Sequence, residues 1–417
     1  MSVYSLNDIY GSAAASQVRR YSRALESFRS IFGTQEGEEV RFFSAPGRSE
    51  IGGNHTDHNN GKVLAAGVSL DIIAAAVPTN DNVILVKSEG YEADNISLSE
   101  LEARESEYNT SAALIRGVAA GLVKNGFKVG GFKAYTTSDV LKGSGLSSSA
   151  AFEVLIGSIL NGLYNGGEIS PVKIAQIAQY AENEYFGKPS GLMDQMASSV
   201  GGFITIDFRD TSSPVINEIP FDLANSGYSL CIVDTKGSHA DLTPEYAAIP
   251  AEMKSVAEHF GKSVLREITK EQVTAHIPEI RKSCGDRAVL RALHYFDENE
   301  RVSQMEQALI QNDIGGFFDH VKKSGASSFR YLQNIFASSS PQEQGLSIAL
   351  YLAESILGNE GAYRVHGGGF AGTVQAFVPD AKLDRFTAAM NGAFGDGSCY
   401  VLSVRPIGGA EVEFTDK

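Results

Sequence analysis

The chain has 417 residues, 43% of them hydrophobic, which is enough for two or three domains of about 100–200 residues with filled cores and excludes a disordered protein. Fifty acidic against 35 basic residues leave a net charge of -15, which argues against a broad nucleic-acid or anionic-membrane surface and confines any phosphate chemistry to a local pocket. Three scattered cysteines with no Cys-x-x-Cys or His-x-x-x-His pair leave no disulfide framework or structural zinc site. No basic leader opens the chain, and the longest apolar run (63–77) is too short to span a bilayer, so a cytoplasmic protein with no membrane or nucleic-acid partner is expected.

In chain order, Val18, Tyr21, Leu25, Phe28 and Ile31 recur at three- and four-residue spacings and predict an amphipathic helix over 14–32. Short apolar and β-branched runs then predict strands at 40–43, 62–68, 72–77 and 83–86. Between the first two lies Ala45-Pro46-Gly47-Arg48-Ser49-Glu50-Ile51-Gly52-Gly53-Asn54-His55-Thr56-Asp57-His58-Asn59-Asn60-Gly61, an irregular, glycine-rich stretch loaded with polar side chains. Sugar hydroxyls donate and accept at once, so a sugar pocket needs such carboxylates, amides and imidazoles on a fixed loop. A solvated polar loop is the alternative. A metal set of His55, Asp57 and His58 is disfavoured because their spacing repeats no helix face.

Helices are predicted at 111–124, 150–163 and 171–186, with a strand at 132–136. Gly143-Ser144-Gly145-Leu146-Ser147-Ser148-Ser149 runs straight into the second of these helices. Glycines that tolerate positive φ, followed by a helix N-terminus, make a phosphate cradle, and the serine hydroxyls can serve capping, phosphate or metal. A turn that merely caps a core helix is the other reading. No Walker pattern is present. The third helix ends near Gly187, and Ser190-Gly191-Leu192-Met193-Asp194-Gln195 follows, with Asp194 in the first turn of a further helix. There it can complement the helix dipole or accept a hydroxyl proton.

Strands at 203–208 and 228–233 bracket a connection over 210–226 rich in Ser, Pro, Asp and Asn, where a boundary divides residues 1–212 from 213–417. The second part adds helices at 250–260, 288–298, 301–311, 314–328 and 343–357 and strands at 372–377 and 400–404, so the fold class is α+β. His366-Gly367-Gly368-Gly369-Phe370-Ala371-Gly372 formally contains Gly-x-Gly-x-x-Gly, but a strand follows it and no helix, which disfavours a dinucleotide site.

These four segments, in this order, resemble the GHMP small-molecule kinases, most closely the galactokinase family. The resemblance implies a two-domain fold with the active site in the interdomain cleft, ATP and Mg²⁺ as cofactors, and phosphorylation of a sugar at its anomeric hydroxyl. D-Galactose is the first choice, another sugar (galacturonate, N-acetylgalactosamine or arabinose) the alternative, and a sugar-sensing regulator a more distant one. By position it implies Asp194 as base, Arg48 as its stabiliser, Ser149 and Glu182 as Mg²⁺ ligands, and residues 143–149 as the phosphate loop. Asn54, His55, Thr56, Asp57, Gly191 and Tyr246 fall on its sugar contacts, with His239 seven residues before Tyr246. The chain also departs from that pattern. Where the family carries Asn-Leu-Ile-Gly-Glu before His-Thr-Asp-Tyr, it carries Glu50-Ile51-Gly52-Gly53-Asn54 before His55-Thr56-Asp57-His58. Ser111 and Leu114 stand near the usual adenine-pocket aromatics, Leu141 replaces a proline, and Ile249-Pro250 replace an Arg-Arg pair.

Overall fold

The computed structural model describes residues 3–33, 39–140, 145–237 and 242–415. Its strands are β1 (Val3–Ser5), β2 (Arg41–Gly52), β3 (Lys62–Pro78), β4 (Val83–Ser88), β5 (Ala93–Ser97), β6 (Phe132–Ser138), β7 (Phe203–Asp207), β8 (Val215–Ile219), β9 (Tyr228–Asp234), β10 (Ala362–His366), β11 (Thr373–Pro379), β12 (Cys399–Leu402) and β13 (Ala410–Glu413). Among the described residues they form two sheets. One runs β1-β13-β2-β3-β6-β4-β5, with β7 on β3 and β8 on β7; the other runs β10-β11-β9-β12.

Two of the strands differ from the sequence expectation, and both differences shape the site. β2 does not stop at Phe43 but continues through Gly52, carrying the first half of the polar stretch in extended backbone. Its pairing with β3 slips between Pro46 and Arg48 and again between Glu50 and Gly52. Such irregularities re-aim side chains. The two runs expected at 62–68 and 72–77 are one 17-residue strand, β3, whose first half pairs with β7 and whose second half pairs with β6. Ser69 and Asp71 look like a break, but Asp71 is wholly buried and salt-bridged to Arg20 (2.5 Å) and Arg405 (2.7 Å).

The Ser148–Tyr164 helix lies in the centre of the first part, with twelve of its residues buried from Ala150 to Gly162. A helix apolar on every side belongs inside a protein. The Pro171–Ala181 helix widens into one looser turn over Glu182–Phe186 and ends at Gly187, whose φ of 81° takes the chain out of the helix. A short helix, Met193–Val200, follows.

In the second part the helices expected at 288–298 and 301–311 are one 25-residue helix, Asp286–Ile310. The helix expected from Pro250 begins seven residues earlier, at Thr243, and contains that proline. The division expected at 212/213 is not a clean cut: β8 beyond it still pairs with β7, and β13 returns to pair with β2. One apolar core joins the halves, running from Phe43, Leu64 and Ile156 to Ile232, Phe317, Phe377 and Leu402.

Candidate active site

The phosphate-loop segment is described from Gly145 onward; Gly143 and Ser144 lie outside the described residues, as does His239. Gly145 (φ 72°) and Ser147 (φ 54°) both take left-handed backbone, which turns the chain sharply into the Ser148–Tyr164 helix. Ser147 stands at the N-cap yet makes no side-chain capping bond. Its hydroxyl instead donates to Asp194 Oδ2. The first-turn amides are thus left without the usual serine cap, the condition in which a helix N-terminus takes an anion.

β2 is laced to this loop. The Arg48 amide donates to the Leu146 carbonyl at 3.1 Å, and the Arg48 guanidinium donates to the Gly145 carbonyl. A Cβ on Gly47 would stand 2.9 Å from the Leu146 oxygen, so only glycine lets strand and loop lie this close. Arg48 Nε donates to Asp194 Oδ1 at 2.6 Å, and a quarter of the Asp194 side chain stays exposed. Burial pushes the Asp194 carboxyl up, but Arg48 and the Ser147 hydroxyl outweigh it and hold it below the usual carboxylate range. The result is an ionised carboxylate beside an anion-attracting helix end, with a fixed cation between them.

Behind it, Ser149 Oγ donates to Glu182 Oε1 at 3.0 Å, and Lys188 Nζ meets the same oxygen at 2.8 Å. Gln195 Nε2 donates both to Glu182 Oε2 (2.7 Å) and to Glu153 Oε2 (3.1 Å). Glu153 is fully buried; burial first, and then the neighbouring Glu182, push its carboxyl well above the usual range. Gln195 and Glu153 were not singled out from sequence as chemistry; the one signal was an acid on the buried face of an otherwise apolar helix.

The expected sugar contacts sit in two different settings. Asp57 and Gly191 adjoin each other: a Cβ on Gly191 would stand 3.1 Å from Asp57 Oδ2, so the polar stretch and the Gly191–Asp194 segment share one wall. The other four candidates bond protein. Thr56 Oγ1 donates to the Gly53 (2.9 Å) and Lys62 (2.6 Å) carbonyls. Asn54 is fully buried and gives its amide hydrogens to Glu50 (3.0 Å) and the Gly367 carbonyl (2.7 Å). His55 Nε2 donates to the Gly368 carbonyl (3.0 Å), and Tyr246 donates to the Gly369 carbonyl (2.8 Å). His366, at the head of this glycine loop, meets Ser49 Oγ (3.1 Å) and Thr373 Oγ1 (2.8 Å); burial, with Arg48 and Arg364 nearby, pushes its pKa down to about 3. It lies directly beneath Gly145, whose Cβ would stand 3.2 Å from the imidazole. Among the described residues no group of three or more His, Cys, Asp or Glu gathers as a metal site.

Known proteins resemble this chain along nearly its whole length. The galactokinase galactose-binding signature matches residues 26–78, and the GHMP kinases N-terminal domain matches residues 113–202. A galactokinase of Streptomyces coelicolor is 33% identical over 374 residues, spanning 88% of this chain and 92% of that protein. One from Actinobacillus pleuropneumoniae serotype 5b is 32% identical over 368 residues, spanning 87% and 90%. Among solved structures, Lactococcus lactis galactokinase complexed with galactose superposes with a TM-score of 0.79 at 24% identity, covering 94% of this chain and 99% of that one. A mevalonate kinase superposes with a TM-score of 0.61 at 15% identity, covering 87% and 99%, a likeness of fold.

Proposed function

Because the chain belongs to the galactokinase family of GHMP kinases, we propose that it transfers the γ-phosphoryl group of ATP to the anomeric hydroxyl of D-galactose, giving α-D-galactose 1-phosphate. The observation that carries this reading is the Arg48–Asp194–Ser147 cluster at the mouth of an uncapped helix N-terminus. Phosphoryl transfer asks a protein mainly for positioning and charge neutralisation. Amides at the start of the Ser148–Tyr164 helix, with the loop before it, would hold the phosphates. Asp194 would take the proton from the attacking hydroxyl, and Arg48, already aimed at the same carboxylate, would keep it ionised and face the charge that builds up in transfer. Asp57 and Gly191, beside that carboxylate's segment, would line the sugar.

The residues also fit Mg²⁺. Ser149 and Glu182 would hold it: their oxygens already meet in a 3.0 Å hydrogen bond, and both are hard oxygen donors. Lys188, half exposed, would leave Glu182 as the ion arrives. Held by Ser149 and Glu182, a Mg²⁺ would supply positive charge to offset that of the transferred phosphoryl group. No helix among the described residues is long and apolar enough to cross a membrane. Three free thiols fit a reducing cytosol.

The test is coupled ADP release with ATP, Mg²⁺ and a panel of galactose, galacturonate, N-acetylgalactosamine, arabinose and glucose. The reading expects galactose to give the highest kcat/KM; faster turnover of another panel member would reassign the substrate, and silence throughout would overturn the enzyme.

A further inference from the structure

The Gly367–Gly369 loop is held from outside itself. Three consecutive carbonyls each accept a hydrogen bond from a distant side chain: Gly367 from Asn54 (2.7 Å), Gly368 from His55 (3.0 Å) and Asn334 (3.1 Å), and Gly369 from Tyr246 (2.8 Å). Asn334 also accepts the Phe370 amide on its backbone carbonyl, at 2.5 Å, and a Cβ on Gly369 would run into that same carbonyl. A glycine-rich backbone has many conformations to lose, so a single one persists only where outside groups fix it.

Asn54 is the hub of this arrangement. Both of its amide hydrogens are given away, one to Glu50 and one to Gly367, and its oxygen accepts from Asn334 Nδ2 (2.8 Å) and Ser328 Oγ (3.3 Å). None of its surface is exposed. A primary amide has two donors and one oxygen with two lone pairs, and all four positions are occupied by protein. The acid and the amide of this stretch stand in the reverse of the family's order: Glu50 comes first and Asn54 last, and here they bond to each other. Glu50 is in turn paired with the fully buried Arg364 at 2.9 Å. A carboxylate at 54 would face both Glu50 and the Gly367 carbonyl, so the exchange is matched to the neighbours.

We propose that Asn54, acting with Asn334, is a positioning residue for the Gly367–Gly369 loop and makes no contact with the sugar. That loop runs on directly from His366, the last residue of β10, which lies under Gly145, so residue 54 governs turnover by steadying the floor of the phosphate loop from its far side and leaves the ranking of sugars to Asp57 and its neighbours. The kinetic consequence rests on the proposed reaction; the structural one does not.

The experiment uses the full-length protein and two shape-conserving variants, Asn54→Asp and Asn334→Asp, each of which replaces an amide donor with an acceptor. Amide hydrogen exchange over 366–371 should quicken by about tenfold or more in both, as a lost buried hydrogen bond requires, while exchange in the Ser148–Tyr164 helix stays as it was. The kcat should fall by the same factor for every sugar turned over, with the order of kcat/KM among sugars kept. Unchanged loop exchange in both variants would overturn the proposal, and so would a KM change confined to one sugar with kcat intact. Should Asn54→Asp fail to fold, Asn334→Asp decides alone, since it lies outside the polar stretch. The exchange result stands even if no sugar is phosphorylated, which separates failure of this inference from failure of the proposed reaction.

Discussion

Arg48 is where two opposing effects on Asp194 are balanced. Burial alone would raise the carboxyl; Arg48, at 2.6 Å, reverses the sign. Replacing Arg48 with Gln leaves burial unopposed by that charge, so the acidic limb of the kcat/KM profile should move to higher pH. A pH–rate profile whose acidic limb stays in place would show that Asp194 is not the group being titrated. Glu153 works in the opposite sense. Its carboxyl is raised in the folded chain, so the folded state holds a proton that the unfolded state releases. Its contribution is present below the ordinary carboxylate range and declines as pH climbs toward the folded value. Glu153→Gln, of the same shape and already neutral, should therefore flatten the fall in Tm as pH rises above the ordinary carboxylate range. An unchanged slope would mean that Glu153 is ionised in the fold.

At the scale of elements, the crossing of β2 with the phosphate loop is a close approach that fixes the loop's position. Gly47→Ala would place a methyl 2.9 Å from the Leu146 carbonyl, and the loop would have to move. We expect the KM for ATP to rise about tenfold or more, with a stability loss of about 1–3 kcal/mol. A KM for ATP that stays put would show that the loop's position does not matter to the nucleotide. The same element shows what sequence can and cannot carry. The glycine and serine density at 143–149 and the polar load at 45–61 are visible because chemistry of that kind needs unusual local composition. The path of β2 through Gly52 was hidden because proline, glycine and charge disguise a strand whose hydrogen bonds come from β3. The union of 62–68 with 72–77 was hidden for a different reason: Asp71 reads as a break until Arg20 and Arg405 arrive from 51 and 334 residues away. Asn334 and Arg364 were invisible on the same ground. Each is an ordinary polar residue whose partners, Asn54 and Glu50, lie about three hundred positions earlier, and nothing in the local sequence marks them.

For the whole molecule, that buried ionic knot links the termini. Asp71 joins Arg20 of the Ala14–Phe32 helix, Tyr10 ahead of it, and Arg405 just before β13. Asp71→Asn would leave the buried Arg405 guanidinium without its counter-charge and Arg20 with only Asp139 (3.1 Å), and should cost about 3–5 kcal/mol, read as a lower urea midpoint. A midpoint within experimental scatter of the parent would mean that the knot is dispensable. Because the apolar core is continuous across both sheets and β13, from the end of the second part, is paired inside the first sheet between β1 and β2, the knot's loss should lower a single transition.

We propose that Asp194 takes the proton of the hydroxyl that is phosphorylated, and the kcat of Asp194→Asn with galactose and ATP reads that role out. The amide keeps the shape and can still meet Arg48 and Ser147, but it cannot accept a proton. The kcat should fall by roughly 10²-fold to 10⁴-fold with nucleotide affinity nearly unchanged. A variant that turns over at the parent rate would contradict the assignment of the base, and with it the reading of this cluster as the catalytic centre.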